Sequence, residues 1–391
     1  MKKILKYLLY TLFLPFWYLE LLIPRDKRIW LFGAWFGKKY CDNSAVFYEF
    51  TRSNPDINAI WITKSKDVYR RNKAKGLDVY MASSIKGIWF SLIAGKVFYS
   101  NSKKDVNNYF INGATLINIW HGSPMKKIGL DDKFASLLSV KNFVLKHLFP
   151  FIWEFKFHYL ISSSEFFNKN FCSAFDIEES SILTTGYPRC DLLFEEREYR
   201  LIKSWNKKYS NPKKILYLPT FRSLAEGFRP FELFGFDSDQ WSNYLSANNS
   251  ILISKGHFVD DNVGDDSLSG RIIHLSDKDV SDINNLLRSI NLLVTDYSSV
   301  YFDFLLKDKP VVLAPFDIKE YLSNSREFYY DYEEISCGYI VNTWSQLLEL
   351  LKEHEIESLK DEKLFEEKKQ LFNKYQDNKN SQRLMDAITK I

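Results

Sequence analysis

NLLVTDYSSVYFD, Asn291 to Asp303, runs an apolar strand into a polar turn that opens an apolar helix. Ile290 to Val294 read as a strand buried on both faces, as in a parallel sheet; Thr295 to Ser299 form the turn, and Val300 to Leu306 the helix. Ser298 or Ser299 is the expected N-cap. The N–H groups of a helix's first turn have no intrahelical partner, so the turn suits a phosphate as well as a cap without ligand.

The same strand–turn–helix rhythm extends in both directions. Upstream, apolar runs at Ile29–Phe32, Ala59–Thr63, Val97–Ser100, Leu116–Trp120, Tyr159–Ser162 and Ile182–Thr184 alternate with helical stretches. A second series comprises Ile215–Leu218, Ile251–Ser254, Arg271–Leu275, Asn291–Val294 and Pro310–Leu313. This alternation predicts an α/β protein with two doubly wound, Rossmann-like domains, separated by the polar run Lys207–Lys214. Residues 1–28 form an apolar membrane-associated segment, 29–210 the first domain, and 211–391 the second with its terminal helices, which could cross back onto the first.

With 391 residues the chain is long enough for two cores. A net charge of +4 is too small to argue for nucleic acid, whereas 17% aromatic residues suggest a surface that meets lipid. Cys41, Cys172, Cys190 and Cys337 are scattered and form no CxxC pair, which points away from a disulfide framework or zinc site and fits a reducing cytosol. The leader MKKILKYLLYTLFLPFWYLELLIP, Met1 to Pro24, is interrupted by Lys6, Pro15 and Glu20 and lacks a cleavage site. It reads as an interfacial helix with Trp17 and Tyr18 at headgroup level; a spanning helix or one packed on the first domain are the alternatives. Near 130–157, lysines 133, 141, 146 and 156 interleave with apolar residues, as in a basic amphipathic membrane-surface helix pair or an ordinary helical hairpin.

Chemistry concentrates at the carboxyl ends of the strands. His121 follows Leu116–Trp120 and precedes Gly122, Ser123 and Pro124. An imidazole there can remove a proton near neutral pH, Gly122 permits close approach of a substrate, and Lys126 and Lys127 add positive charge. Arg222 and His257 end corresponding segments of the second half, beside the Asp296–Ser299 turn, and together these residues suit a phosphate-bearing ligand such as a nucleotide diphosphate. GYPRCD, from Gly186, reads as a rigid turn in which Arg189 and Asp191 could pair. Asp317, Tyr321, Arg326, Asp331 and Tyr332 form a polar aromatic loop that lines the site or caps itself. No GxGxxG, P-loop or metal-ligand spacing occurs, so neither cofactor nor metal is expected.

In order and spacing, NIWHGSPMKKIG (Asn118 to Gly129), TTGYPRCD (Thr184 to Asp191), ILYLPTFR (Ile215 to Arg222), ISKGH (Ile253 to His257) and VTDYSSVYFDF (Val294 to Phe304) resemble the CDP-glycerol glycerophosphotransferases, the teichoic acid primases and polymerases. The resemblance implies two Rossmann-like halves in a GT-B arrangement, monotopic on the cytoplasmic membrane face. It implies transfer of glycerol phosphate from CDP-glycerol to a lipid-linked saccharide or polyol phosphate acceptor, with release of CMP. By motif, His121 corresponds to the proposed general base, and Arg222, His257, Asp296, Ser298 and Ser299 to the surroundings of the nucleotide and its pyrophosphate, where His257 is the second catalytic residue, stabilising charge that develops on the pyrophosphate oxygens. Phe258 stands where the family usually has proline, which leaves the aim of His257 open. A CDP-ribitol donor, a nucleotide-sugar glycosyltransferase of the same architecture, and a non-catalytic polymer- or lipid-carrier-binding protein are the competing readings.

Overall fold

The computed structural model describes residues 2–133, 139–220, 229–256, 270–276, 278–280 and 282–391. The chain divides into two compact units. The first comprises Met1–His121, Gly129–Arg189 and Lys379–Ile391; the second comprises Gly122–Ile128 and Cys190–Asn378.

The first unit is built on seven strands: β1 (Asp26–Gly33), β2 (Asn58–Thr63), β3 (Val79–Met81), β4 (Ala94–Tyr99), β5 (Thr115–Asn118), β6 (Tyr159–Ser162) and β7 (Ile182–Thr184). Their order is β3-β2-β1-β4-β5-β6-β7, and every pairing is parallel. Leu31 lies opposite both Ile60 and Val97, and all three are buried, which is why these strands read as unbroken apolar runs. The order reverses between β1 and β4. Crevices at such switch points, at the carboxyl ends of the strands, are where open α/β sheets bind ligands.

The second unit carries β8 (Lys213–Tyr217), β9 (Ser250–Lys255), β10 (Ile272–Leu275), β11 (Leu292–Thr295) and β12 (Val311–Leu313), ordered β10-β9-β8-β11-β12 and again parallel throughout. Ile215, Leu252, Leu292 and Val312 pack with Trp241 and Trp344 in its core. Here the reversal falls between β8 and β11, so the turn that opened the sequence reading sits at a switch point.

Several expectations change. The three-residue strand β3 has no counterpart in the sequence reading. Lys207–Lys214 is not a linker: Lys207 to Tyr209 close the amphipathic helix Arg200–Tyr209, Ser210 and Asn211 turn with φ of 55° and 56°, and Lys213 begins β8. The chain passes to the second unit at Cys190, whereas the sequence suggested a division after residue 210.

The helix Lys2–Leu19 lays Tyr10, Phe13, Leu14 and Trp17 on Phe149, Phe151, Val144 and Leu145, burying Trp17. Trp17 is therefore a core residue instead of a headgroup anchor, whereas Tyr18 is exposed. Leu5, Leu8, Leu9, Leu12, Phe16 and Leu19 point outward from the same helix. Among the described residues no helix is long and apolar enough to cross a membrane. Of the lysines expected near 130–157, Lys146 pairs with Asp176 at the surface, both side chains remaining exposed, and the ammonium of the partly buried Lys156 lies 5.7 Å from the Trp17 ring centre. One helix of the expected pair, Ser139–Leu148, is described.

Candidate functional site

At the switch point of the second sheet, Asp296 follows β11 and is 1% exposed. Its Oδ1 accepts the backbone N–H of Thr220 at 2.7 Å and of Tyr297 at 2.5 Å, which joins the loop after β8 to the turn after β11. Thr295 Oγ1 donates to the Leu218 carbonyl at 2.6 Å, and Tyr332 Oη donates to the Asp296 carbonyl at 3.1 Å. Tyr297 donates to Asp317 Oδ1 at 3.2 Å and its ring packs on Tyr321, 4.5 Å between centres. Asp317, Tyr321 and Tyr332 thus support this turn from behind. Asp296 holds the two loops together through its carboxylate, which accepts two N–H bonds.

The positive charge comes from the segment after His121. Lys126 forms an isolated antiparallel bridge with Phe328, and Tyr329 N–H donates to the Met125 carbonyl at 3.0 Å. Lys126 Nζ then lies 3.3 Å from Thr220 Oγ1, at the carboxyl end of β8. Lys127 is held by Glu327 at 2.7 Å, so of the two lysines Lys126 is the one aimed at the crevice. Gly122 begins this segment at φ 143°, backbone that a side chain would strain, and Ser123 is buried.

Ser298 and Ser299 lie at the start of the helix Val300–Phe304, shorter than expected and followed by a single 3₁₀ turn, Leu305–Lys307. Ser299 does not cap it through its side chain. Its backbone is already helical (φ −63°, ψ −14°), whereas a capping hydroxyl needs extended backbone to reach back to the first-turn N–H groups. The carbonyls of Ser298 and Ser299 accept from Tyr301 and Phe302 instead, both at 3.2 Å. Arg222 and His257 lie outside the described residues; in sequence they follow β8 and β9.

In the first unit, His121 comes three residues after Asn118, which ends β5, with Ile119 and Trp120 between them. His121 Nδ1 lies 2.9 Å from the Ser100 carbonyl, just past β4. A carbonyl only accepts, so Nδ1 carries the proton and the neutral ring's basic nitrogen is Nε2. The backbone beneath it is fixed from three sides. Asn43 Nδ2 donates to the carbonyls of Ile119 and Trp120 at 2.9 and 3.0 Å, and Arg189 Nη1 donates to the His121 carbonyl at 2.7 Å. The same guanidinium pairs with Asp42 Oδ1 at 2.8 Å, both side chains being under 10% exposed. Arg189 therefore binds a carboxylate from the helix Asp42–Thr51, a partner the reading of GYPRCD did not name. Asp105, fully buried, takes N–H bonds from Phe36, Ser100 and Asn101 at 2.7, 2.9 and 2.8 Å, clamping β1 to β4 at their carboxyl ends. Burial raises its carboxyl above the ordinary range, and these bonds oppose the rise.

Asp42, Asn43 and Asp105 escaped the sequence reading, which named Lys126 and Lys127 together without telling them apart. Asp-Asn at the start of an apolar helix is a visible signal for the first two; nothing local marks Asp105. Among the described residues no group of three or more His, Cys, Asp or Glu is arranged to hold a metal ion.

Known proteins resemble this chain in sequence and in fold. The chain is 29% identical over 371 residues to the teichoic acid glycerol-phosphate transferase of Staphylococcus aureus, covering 90% of this chain and 89% of that one. It is 29% identical over 343 residues to the teichoic acid poly(glycerol phosphate) polymerase of Bacillus spizizenii, covering 84% of each. The solved structure of the wall teichoic acid polymerase TagF has the same fold, with a TM-score of 0.74 and 24% identity over 94% of this chain and 89% of that one. A single family description covers residues 16–390, both sheets and all five motifs included: the chain belongs to the CDP-glycerol:poly(glycerophosphate) glycerophosphotransferase family.

Proposed function

We propose that this protein transfers glycerol phosphate from CDP-glycerol to a hydroxyl of a lipid-linked or polymeric acceptor, releasing CMP, in the synthesis of a teichoic acid or similar polymer. The observation that carries the proposal, within the family, is the locked tautomer of His121. With Nδ1 donating to Ser100, Nε2 accepts the proton of the attacking hydroxyl. The hydroxyl oxygen bonds to the phosphorus that bears glycerol as the bridging P–O bond breaks, and the electron pair leaves on CMP. In this reading the donor pyrophosphate lies at the switch point of the second sheet. Lys126 opposes its charge there, together with Arg222 and His257, which follow β8 and β9 in sequence, and with Ser298, Ser299 and the first N–H groups of the following helix. Gly122 and Ser123 carry the chain from the base to the donor-binding segment.

Membrane association at the cytoplasmic face forms part of the same proposal. It is supported by the row of exposed apolar side chains on the helix Lys2–Leu19, whose opposite face is anchored to the first unit. Apolar burial would drive the binding, with surface lysines such as Lys146 adding attraction to an anionic face.

The decisive assay measures CMP release by purified protein from CDP-glycerol and from CDP-ribitol, with and without a lipid-linked disaccharide analogue, alongside UDP-sugar controls. Acceptor-dependent CMP release from CDP-glycerol is expected. A preference for CDP-ribitol would change the donor, UDP release would make the protein a glycosyltransferase, and silence with bound donor would make it a binding protein.

A further inference from the structure

β1 ends at the switch point of the first sheet, and the chain leaves it through Ala34, Trp35, Phe36 and Gly37. Trp35, Phe36 and Gly37 have φ of 48°, 58° and 76°, three consecutive residues in the left-handed region. Glycine adopts that backbone without cost; two bulky aromatic residues do not, and such a turn persists only where its surroundings over-determine it. They do so here. Phe36 N–H is held by Asp105, Gly37 N–H by the Ala34 carbonyl at 2.9 Å, and the Gly37 carbonyl by Thr63 Oγ1 and Lys64 N–H at 2.8 and 2.7 Å.

The strain adds nothing to the core. Trp35 remains 36% exposed and Phe36 46% exposed, whereas Trp30, Trp61 and Trp120 of the same sheet region are buried to 8% or less. What the turn achieves is placement: the Trp35 ring centre lies 5.8 Å from that of His121, tilted by 48°. A hydroxyl that gives its proton to His121 must come within about 3 Å of the imidazole. The two rings are too close to hold a sugar between them, but a pyranose resting its C–H face on the exposed indole, beside the Lys39 ammonium 5.8 Å from the ring centre, brings a hydroxyl to the imidazole. A linear polyol offers no flat face to do so.

We propose that Trp35 is the platform for a pyranose ring of the acceptor, making this protein selective for an acceptor that ends in a sugar over one that ends in a polyol phosphate. The inference rests on the reading of His121 as the base that activates the acceptor. Two acceptors decide it: a disaccharide diphosphate on a short alkyl chain, and a short oligo(glycerol phosphate). Trp35→Ala should raise KM for the saccharide roughly tenfold, the scale of one well-placed aromatic contact, with KM for CDP-glycerol unchanged. Trp35→Phe should recover part of the loss, and KM for oligo(glycerol phosphate) should not move. An unchanged saccharide KM, or equal losses with both acceptors, would overturn the assignment. Saturation-transfer NMR of the saccharide on wild type and Trp35→Ala gives a readout that does not need turnover. If wild type releases no CMP but Trp35→Ala weakens saccharide binding, the phosphotransfer reading has failed and the platform stands. If turnover is normal and the two proteins bind the saccharide equally, the platform has failed alone. Unaltered thermal melts for both variants exclude unfolding as the cause.

Discussion

At His121 the histidine side chain is ordinary and its attachment is not. Ser100 fixes the tautomer, while Asn43 and Arg189 hold the three preceding and adjoining carbonyls, so the ring's position is set by backbone hydrogen bonds from elements distant in sequence. General-base catalysis contributes about 10²–10⁴-fold, so His121→Asn, which retains a side chain of similar reach but no basic nitrogen, should lower kcat by that order. The KM or Kd for CDP-glycerol should change less than twofold, because the residues proposed to bind the donor belong to the second unit; steady-state kinetics with calorimetric donor binding checks this. A loss of donor affinity with kcat retained would reassign the histidine to binding. His121 was legible in the sequence because strand–His–Gly is a local pattern. Its supports were not: Arg189 reaches Asp42 across 147 residues, and no local periodicity encodes which carboxylate a buried guanidinium will find.

Central parallel strands are the elements sequence reads best, since burial on both faces makes them continuous apolar runs, and eleven of the twelve described strands coincide with such runs. β3 at the sheet's edge is too short to form one. The helix Lys2–Leu19 was legible as apolar, but which of its aromatics face the protein depends on partners around Phe149 and Phe151 that sequence does not pair with it. Its two faces should separate experimentally. Leu12, 76% exposed, makes no core, so Leu12→Glu together with Leu8→Glu should leave the melting temperature within about 2 °C, since surface substitutions stay near ±0.5 kcal/mol, yet abolish flotation with liposomes. Flotation that survives the pair would remove this face from the membrane. Where the helix ends, Glu20 is buried against the Asn112 N–H, and desolvation pushes its carboxyl up to about 7. The folded state therefore binds a proton that the unfolded chain, titrating near 4.5, has already released. Stability from this group is full below about 4.5 and declines as pH rises to about 7, a loss of about 3 kcal/mol at most. Glu20→Gln should flatten that part of the pH dependence in urea melts at pH 5 and pH 8. An unaltered difference between the two pH values would mean that Glu20 titrates normally in the fold.

Across the whole molecule, neither unit is continuous in sequence; the return of the terminal helix to the first unit was anticipated, whereas the departure of Gly122–Ile128 was not, because alternation of strands and helices reports sheets but not which loop segments leave them. Gly122–Ile128 leaves the first unit to fold with the second, and the last helix, Asn380–Thr389, returns to the first. That return is closely fitted. Gly186 has φ of 76°, and a Cβ there would collide with the Asn380 side chain, so only glycine lets the helix approach. Leu384 and Ile388 are fully buried, and the helix packs on Asp42–Thr51, the element that supplies Asp42 and Asn43 to the His121 backbone. Removing residues 379–391 should consequently act on catalysis at a distance. Loss of two buried aliphatic side chains costs about 2–5 kcal/mol each, enough to lower the melting temperature of the first unit by many degrees. Turnover should fall with it, through the loosened support of His121, while CDP-glycerol binding by the second unit persists in calorimetry. Donor affinity lost in parallel with turnover would show that the last helix supports the second unit as well, and full turnover in the truncated protein would mean that the grip of Asp42 and Asn43 on His121 does not depend on it.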